Sequence, residues 1–387
     1  MSRYLVVAQG VTSSELTNAD DWRWQLRNAV TSADGLARAL VLTQAEIDGA
    51  ARSEREGLPI SITPYYLSLA SHGDAACPIR MQCVPTIEEA DASPGDLDDP
   101  LGEVAHEAAP HLIQRYPDRV LLLATDRCAV YCRFCTRSRM VGDGGGAVSL
   151  EQLAPALDYV HAHPEIRDVI ISGGDPLAMA TDRLERIVSA VRRIPTVETI
   201  RLATRVPVTL PMRITDELLR ALRPHHPLWI MTHFNHPREV TNEARAACER
   251  LADAGFPVMN QTVLLRGVND SADVLEALFR ALVRVRVRPY YLLQADPVKG
   301  TGHLRTTIDE GLAIVASLQG RLSGIALPKF ICDTPGGFGK VPLLPDYVVH
   351  RGCGRTTLKT FRGREVVYVD PPRGEGDNAA ERATRIP

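Results

Sequence analysis

No stretch of the 387-residue chain approaches the roughly 18 consecutive apolar residues that span a bilayer. The opening MSRYLVVAQG holds too short an apolar run for a secretory leader. These two absences predict a cytoplasmic protein. Charge of one sign is also missing: 44 Lys and Arg stand against 47 Asp and Glu, a formal net charge of -3. With no basic field to hold a polyanion, nucleic acid is not an expected partner, and small molecules are. A regular cysteine framework is absent too. Cys77, Cys83, Cys248, Cys332 and Cys353 are scattered, and only Cys128, Cys132 and Cys135 are grouped. In a reducing compartment that grouping favours a metal site over disulfides. What is present is an ordinary globular composition, 45% hydrophobic and 24% charged, long enough for one large domain or two ordinary ones.

Residues 1–110 read as a helical N-terminal region. Asp20 to Gln25 opens one helix, and Thr43-Gln44-Ala45-Glu46 has the form of a capping box opening another. The acidic stretch from Glu88 to Pro100 offers few apolar side chains and reads as a surface connection. A regular pattern follows in 111–325. Short β-rich runs at Val120 to Ala124, Asp168 to Ser172, Thr199 to Ala203, Leu228 to Thr232, Val258 to Val263 and Pro289 to Leu293 alternate with amphipathic helical segments such as Leu150 to His161 and Asp182 to Arg193. The last five runs begin about thirty residues apart, the length of a βαβ unit, which predicts a parallel sheet curled into an open barrel of six units. A C-terminal segment, 326–370, opens with a strand-like run from Pro328 to Asp333, and 371–387 reads as a disordered polar tail.

Polar clusters sit at or just after these runs: the three cysteines, Ser172-Gly173-Gly174-Asp175, Thr204-Arg205, His233-Phe234-Asn235, Gln261 and Asp296. Single Asp, Asn and Thr residues at such places are usually loop caps. In a parallel barrel, however, all C-terminal strand ends share one mouth, so the clusters converge there. Cys128-x3-Cys132-x2-Cys135 supplies three soft thiolates. Three ligands leave one iron of a cubane open to chelate the amine and carboxylate of S-adenosylmethionine (AdoMet). Structural zinc wants four ligands, usually two pairs, and no second pair exists. The diglycine lets a ligand approach the backbone, with Asp175 near an ammonium; alone, it is as readily a tight turn.

Gly336-Gly337-Phe338-Gly339-Lys340 fails as a phosphate loop, since Thr334 and Val341 occupy positions that need Gly and Ser or Thr. Lys340 is either a solvated lysine beside a glycine turn, the commoner case, or a lysine that bonds an aldehyde cofactor. Arg115, Tyr116 and Arg119 are candidate phosphate donors, or ordinary surface residues.

Taken together, Arg115 to Arg119, Cys128 to Arg137, Ser172 to Asp175, Thr232 to Pro237 and Asp333 to Lys340 resemble the lysine 2,3-aminomutase family in order and separation, from about Trp22 to Val349. The resemblance implies a partial (β/α)6 radical AdoMet barrel with a [4Fe-4S] cluster on Cys128, Cys132 and Cys135. AdoMet is implied on the open iron, contacted by Ser172, Gly173, Gly174, Asp175, His233 and Gln261. Pyridoxal 5'-phosphate (PLP) is implied on Lys340, with Arg115, Tyr116 and Arg119 nearby. A 5'-deoxyadenosyl radical then takes hydrogen from the substrate β-carbon as the amino group moves from the α- to the β-carbon. Arg137 matches the residue that grips the substrate carboxylate, and Asp296 and Asp333 match the pair that receives the far ammonium of lysine. Two carboxylates argue for a cationic side chain. Arginine stays possible, because Phe338, where lysine enzymes have Gly, reshapes the pocket. The implied partners are a flavodoxin- or ferredoxin-type electron donor and further copies of the chain. Typical relatives bind zinc through a cysteine after Gly-Val-Asn-Asp; here Ser271 follows, so no structural zinc is expected. Two other readings stand against this one: a zinc-stabilised interaction module without catalysis, and a radical AdoMet enzyme lacking PLP.

Overall fold

The computed structural model describes residues 19–142, 144 and 146–371, so the expected tail lies, but for its first residue, outside the described residues. The N-terminal region carries α1 (Trp22–Arg27), α2 (Ala33–Ala39), α3 (Gln44–Ser53) and the single turn α4 (Pro64–Leu67). The expected capping box is present at α3, with Thr43 and Glu46 bonding each other's backbone N–H. Glu46 also meets Arg80 in a fully buried pair at 2.6 Å. The other guanidinium N–H groups of Arg80 donate to the carbonyls of Val41, Ser71 and His72, which satisfies a cation that burial would otherwise penalise.

Ten strands follow as one sheet in sequence order: β1 (Glu107–Ala109), β2 (Leu112–Tyr116), β3 (Arg119–Thr125), β4 (Asp168–Gly173), β5 (Thr199–Ala203), β6 (Leu228–Thr232), β7 (Val258–Leu264), β8 (Val287–Gln294), β9 (Lys329–Asp333) and β10 (Lys340–Pro342). Strands β3 to β9 are parallel, while β1, β2 and β10 pair antiparallel at the margins. The strand order is linear, with β1 at one edge and β10 at the other, which is the open barrel the six β-rich runs predict. The parallel run reaches one strand further, through β9.

Helices α5 (Leu150–Ala162), α6 (Thr181–Arg192), the short α7 (Val206–Thr209), α8 (Asp216–Leu222), α9 (Asn242–Asp253), α10 (Ala272–Arg284) and α11 (Ile308–Leu318) fill the crossovers. Their apolar residues recur at helical spacing: α6 buries Leu184, Ile187, Val188 and Val191, and α10 buries Leu275, Leu278, Phe279 and Leu282. Along β7, burial alternates residue by residue, so Met259, Gln261 and Val263 share a half-buried face opposite the fully buried Asn260 and Thr262. A separate antiparallel sheet, β11 (Val348–Gly352), β12 (Arg355–Lys359) and β13 (Glu365–Val369), ends the described chain.

One contact seats the cysteine loop. At the end of β4, Gly174 N–H donates to Thr125 O and Asp175 N–H to Arg127 O, at 2.5 and 2.7 Å. The near neighbour of the diglycine is therefore the protein's own backbone. A Cβ on Gly174 would stand 2.7 Å from the carbonyl carbon and the nitrogen of Arg127, neither of which can yield without moving the loop. Gly174→Ala is expected to cost about 1–3 kcal/mol, the usual range for overpacking, and to lower iron retention. Gly73→Ala, at a site with open space around it, should leave both unchanged. Thermal denaturation and iron assay compare the two.

Candidate functional site

The parallel strands deliver their polar ends to one mouth, and the hydrogen bonds there show the convergence. Asp175, after β4, accepts Thr204 Oγ1 (2.6 Å) and Arg205 N (2.6 Å) from the loop after β5, and Leu177 N at 3.0 Å. Both of its oxygens are thus engaged by the protein itself. Arg205 reaches the cysteine loop and the carbonyl of His233 after β6. Arg137, two residues past Cys135, directs Nη1 to Ser172 Oγ at 3.5 Å.

The cysteine loop is held on its other side by the N-terminal region. Tyr131 N bonds Ser61 O and Arg133 N bonds Gln82 O, both at 2.9 Å. The Arg133 side chain donates to the carbonyls of Leu58 and Pro59, to Ser53 and to Glu89. Burial, then Asp175, Cys135 and Cys132, push the Cys128 thiol well above its usual pKa; burial and Cys132 raise Cys135 to about 11. Thiols whose ionisation penalises one another need a positive centre to become thiolates, and a bound iron cluster would supply it. Among the described residues, no three His, Cys, Asp or Glu side chains are grouped around a single ion position. Beside the thiols, the half-buried His233 lies against Phe134, with ring centroids 5.5 Å apart, and desolvation and Arg205 depress its pKa to about 3. Its neutral Nε2 has no hydrogen-bond partner among the described residues, so it is an orphan suited to a bound ligand. Gln261 stands on β7 among the half-buried residues.

Lys340 begins β10, paired with Asp333 across the β9–β10 hairpin. Its Nζ contacts Asp333, which also accepts Arg115 Nη1 and Nη2 at 3.2 and 3.3 Å. Tyr116 OH accepts the Lys340 backbone N–H at 2.8 Å. Arg119 stacks 3.7 Å over the Tyr116 ring while pairing with the exposed Asp118. Tyr116 thus reaches Lys340 directly, Arg115 reaches it through Asp333 and Arg119 through Tyr116, a cationic and hydroxyl-bearing surround that fits a phosphorylated aldehyde on this lysine. Against burial, Lys340 and Arg115 hold the Asp333 carboxyl below its usual range. Asp296, after β8, is pushed by burial and by Asp333 up to about 6.

Some functional neighbours carried no signal in sequence. Glu103, buried, accepts Arg137 Nε at 2.9 Å and Arg139 Nη2 at 3.1 Å, and against burial these arginines lower its pKa. Glu89 belongs to the stretch read as a surface connection, yet it braces Arg133 inside. Phe338 is 88% exposed, turned to solvent.

Comparison with known proteins agrees with this geometry. The Radical SAM superfamily profile matches residues 122–279, and the Lysine-2,3-aminomutase profile matches 315–386. An L-lysine 2,3-aminomutase of Fusobacterium nucleatum is 47% identical over 352 residues, covering 91% of this chain and 83% of the relative. One of Clostridium subterminale is 45% identical, with 92% and 86% covered. A glutamate 2,3-aminomutase of Clostridioides difficile is 42% identical, with 91% and 84% covered. Similarity of this extent, joined to three thiols and a lysine at one barrel mouth, establishes that the chain belongs to the lysine 2,3-aminomutase family of radical AdoMet enzymes.

Proposed function

We propose that this protein converts L-lysine to β-lysine (3,6-diaminohexanoate) by moving the α-amino group to the β-carbon. Its cofactors are a [4Fe-4S] cluster, AdoMet and PLP. When bound, they supply a substrate-centred radical and a route for nitrogen between adjacent carbons. Cys128, Cys132 and Cys135 would hold the cluster, and Lys340 the PLP aldehyde, with Arg115, Tyr116 and Arg119 toward its phosphate. Ser172, Gly173, Gly174, His233 and Gln261 would line the AdoMet site, with Asp175 anchoring the loops around it.

Charge balance carries the choice of substrate. Asp296 and Asp333 face two cations, Arg115 and Lys340. Asp333 is paired with both Arg115 and Lys340, whereas Asp296 makes no ion pair among the described residues. A cationic substrate side chain would supply that pair, whereas the second carboxylate of glutamate would repel Asp296. Arg137 suits the substrate carboxylate through the Nη1 edge that Glu103 leaves open. Arginine is cationic too, but Phe338, the residue expected to reshape the pocket toward it, turns its ring to solvent.

Anaerobic incubation with reductant, AdoMet and PLP against lysine, arginine, glutamate and alanine, read by mass and NMR, tests the assignment. Lysine should give the 3-amino isomer, and turnover of arginine or glutamate in its place would overturn it. Asp296→Asn or Asp333→Asn should each raise KM for lysine about 10- to 150-fold, the equivalent of losing a charged hydrogen bond worth about 1.5–3 kcal/mol. Because Asp296 sits near 6, protonation on going from pH 7 to pH 5 removes its charge. KM should climb by up to about tenfold per pH unit below that value. Asp296→Asn should flatten the limb.

The partners extend this reading to a low-potential flavodoxin- or ferredoxin-type donor and to a homo-oligomer. Supporting the latter, β13 exposes Val366, Val367, Tyr368 and Val369 in succession, so among the described residues neither face of this strand is covered. Light scattering should find more than one chain per particle, and Val367→Glu with Val369→Glu should dissociate it; a monomeric parent protein would rule this out. No helix among the described residues is long and apolar enough to cross a membrane.

A further inference from the structure

Arg205 caps the loop after β5, and its side chain is 8% exposed. All of its guanidinium nitrogens are occupied. Nη1 donates to Cys132 Sγ at 2.7 Å, and Nε to His233 O at 3.3 Å. Nη2 meets Gln82 Oε1 (2.5 Å), Glu239 Oε1 (2.8 Å) and Tyr66 OH (3.1 Å). The rings of Phe134 and Tyr66 lie 5.2 and 5.4 Å from its central carbon. Glu239, with no exposed surface, is fixed in turn by Tyr66 OH and by the backbone N–H groups of Asn235 and His236. The head group is therefore locked, and one of its five partners is a cluster cysteine.

We infer that Arg205 is a positioning residue that sets the reduction potential of the cluster through the sulfur of Cys132, with Glu239 opposing it. This rests on the reading that Cys128, Cys132 and Cys135 hold the cluster. The oxidised cubane takes one electron from an external low-potential donor, and the added charge is shared with the cysteine sulfurs. A cationic N–H aimed at one of them stabilises the reduced form more than the oxidised form, and does so strongly where water is excluded. Arg205 thus raises the potential and makes the cluster easier to reduce. Glu239, on the far side of the same guanidinium, offsets part of that charge and tempers the effect. Their removal should move the potential in opposite directions, a pattern that simple loss of packing does not produce.

The test is redox titration of anaerobically reconstituted, AdoMet-free enzyme with dithionite and mediators, followed by absorbance and EPR, after iron and sulfide assay. At the parent's midpoint, Arg205→Gln should lower the reduced-to-oxidised ratio at least tenfold, about 59 mV for a one-electron couple. Glu239→Gln should raise the ratio, and Arg205→Lys, which keeps the charge, should recover part of the loss. Should Arg205→Gln retain too little iron to titrate, Arg205→Lys and Glu239→Gln still carry opposite expected signs. Parent enzyme lacking about four irons per chain would overturn the cluster assignment itself. Full iron content with midpoints that stay put, or that all shift the same way, would overturn the role of Arg205 alone.

Discussion

A single buried carboxylate ties the mouth of the barrel together. Asp175 accepts from Thr204, Arg205 and Leu177, and its own N–H holds Arg127 at the head of the cysteine loop. Three donors offset the cost of burying a charged group that burial by itself would neutralise. Its reach joins three successive strand ends, so the thiols, the loop carrying Arg205 and the diglycine are fixed relative to one another. The rest of the site is built out from that knot.

A second set of charges, at the other margin of the sheet, is coupled to chemistry. The β9–β10 hairpin sets Lys340 directly opposite Asp333, and Arg115 approaches from β2. With Asp296 counted, two carboxylates face these two cations. On the proposed reading, a covalent bond at Nζ draws Lys340 from Asp333, so cofactor loading and the pairing in this pocket are linked through one side chain.

Much of this could be read from the amino acids. The six β-rich runs coincide with β3 to β8 because β-branched and apolar runs at a thirty-residue period leave few alternatives. The cysteine spacing and the glycine-flanked Lys340 are local patterns and survive reading in one dimension. The polar supports are not local. Glu103 lies 34 residues before Arg137, Glu89 lies 44 before Arg133, and Gln82 lies 123 before Arg205. Glu89 sits in a segment whose own composition suggests solvent, and all three are drawn inside by an arginine far along the chain. The diglycine shows the reverse case: its lack of side chains is legible, but whether a ligand or the backbone of Arg127 fills the gap is decided by the packing of β3 on β4.

The two residues between Cys132 and Cys135 are not idle spacers. Arg133 extends back to Leu58, Pro59 and Ser53, and Phe134 packs with Leu265, Val268, Ala295 and Leu304. Neither is a cysteine, yet together they bolt the cysteine loop to both flanks of the barrel. A shift of the three sulfurs can therefore originate in side chains far from them: loosening Ser53 or Leu304 slackens the frame on which the cysteine loop is hung.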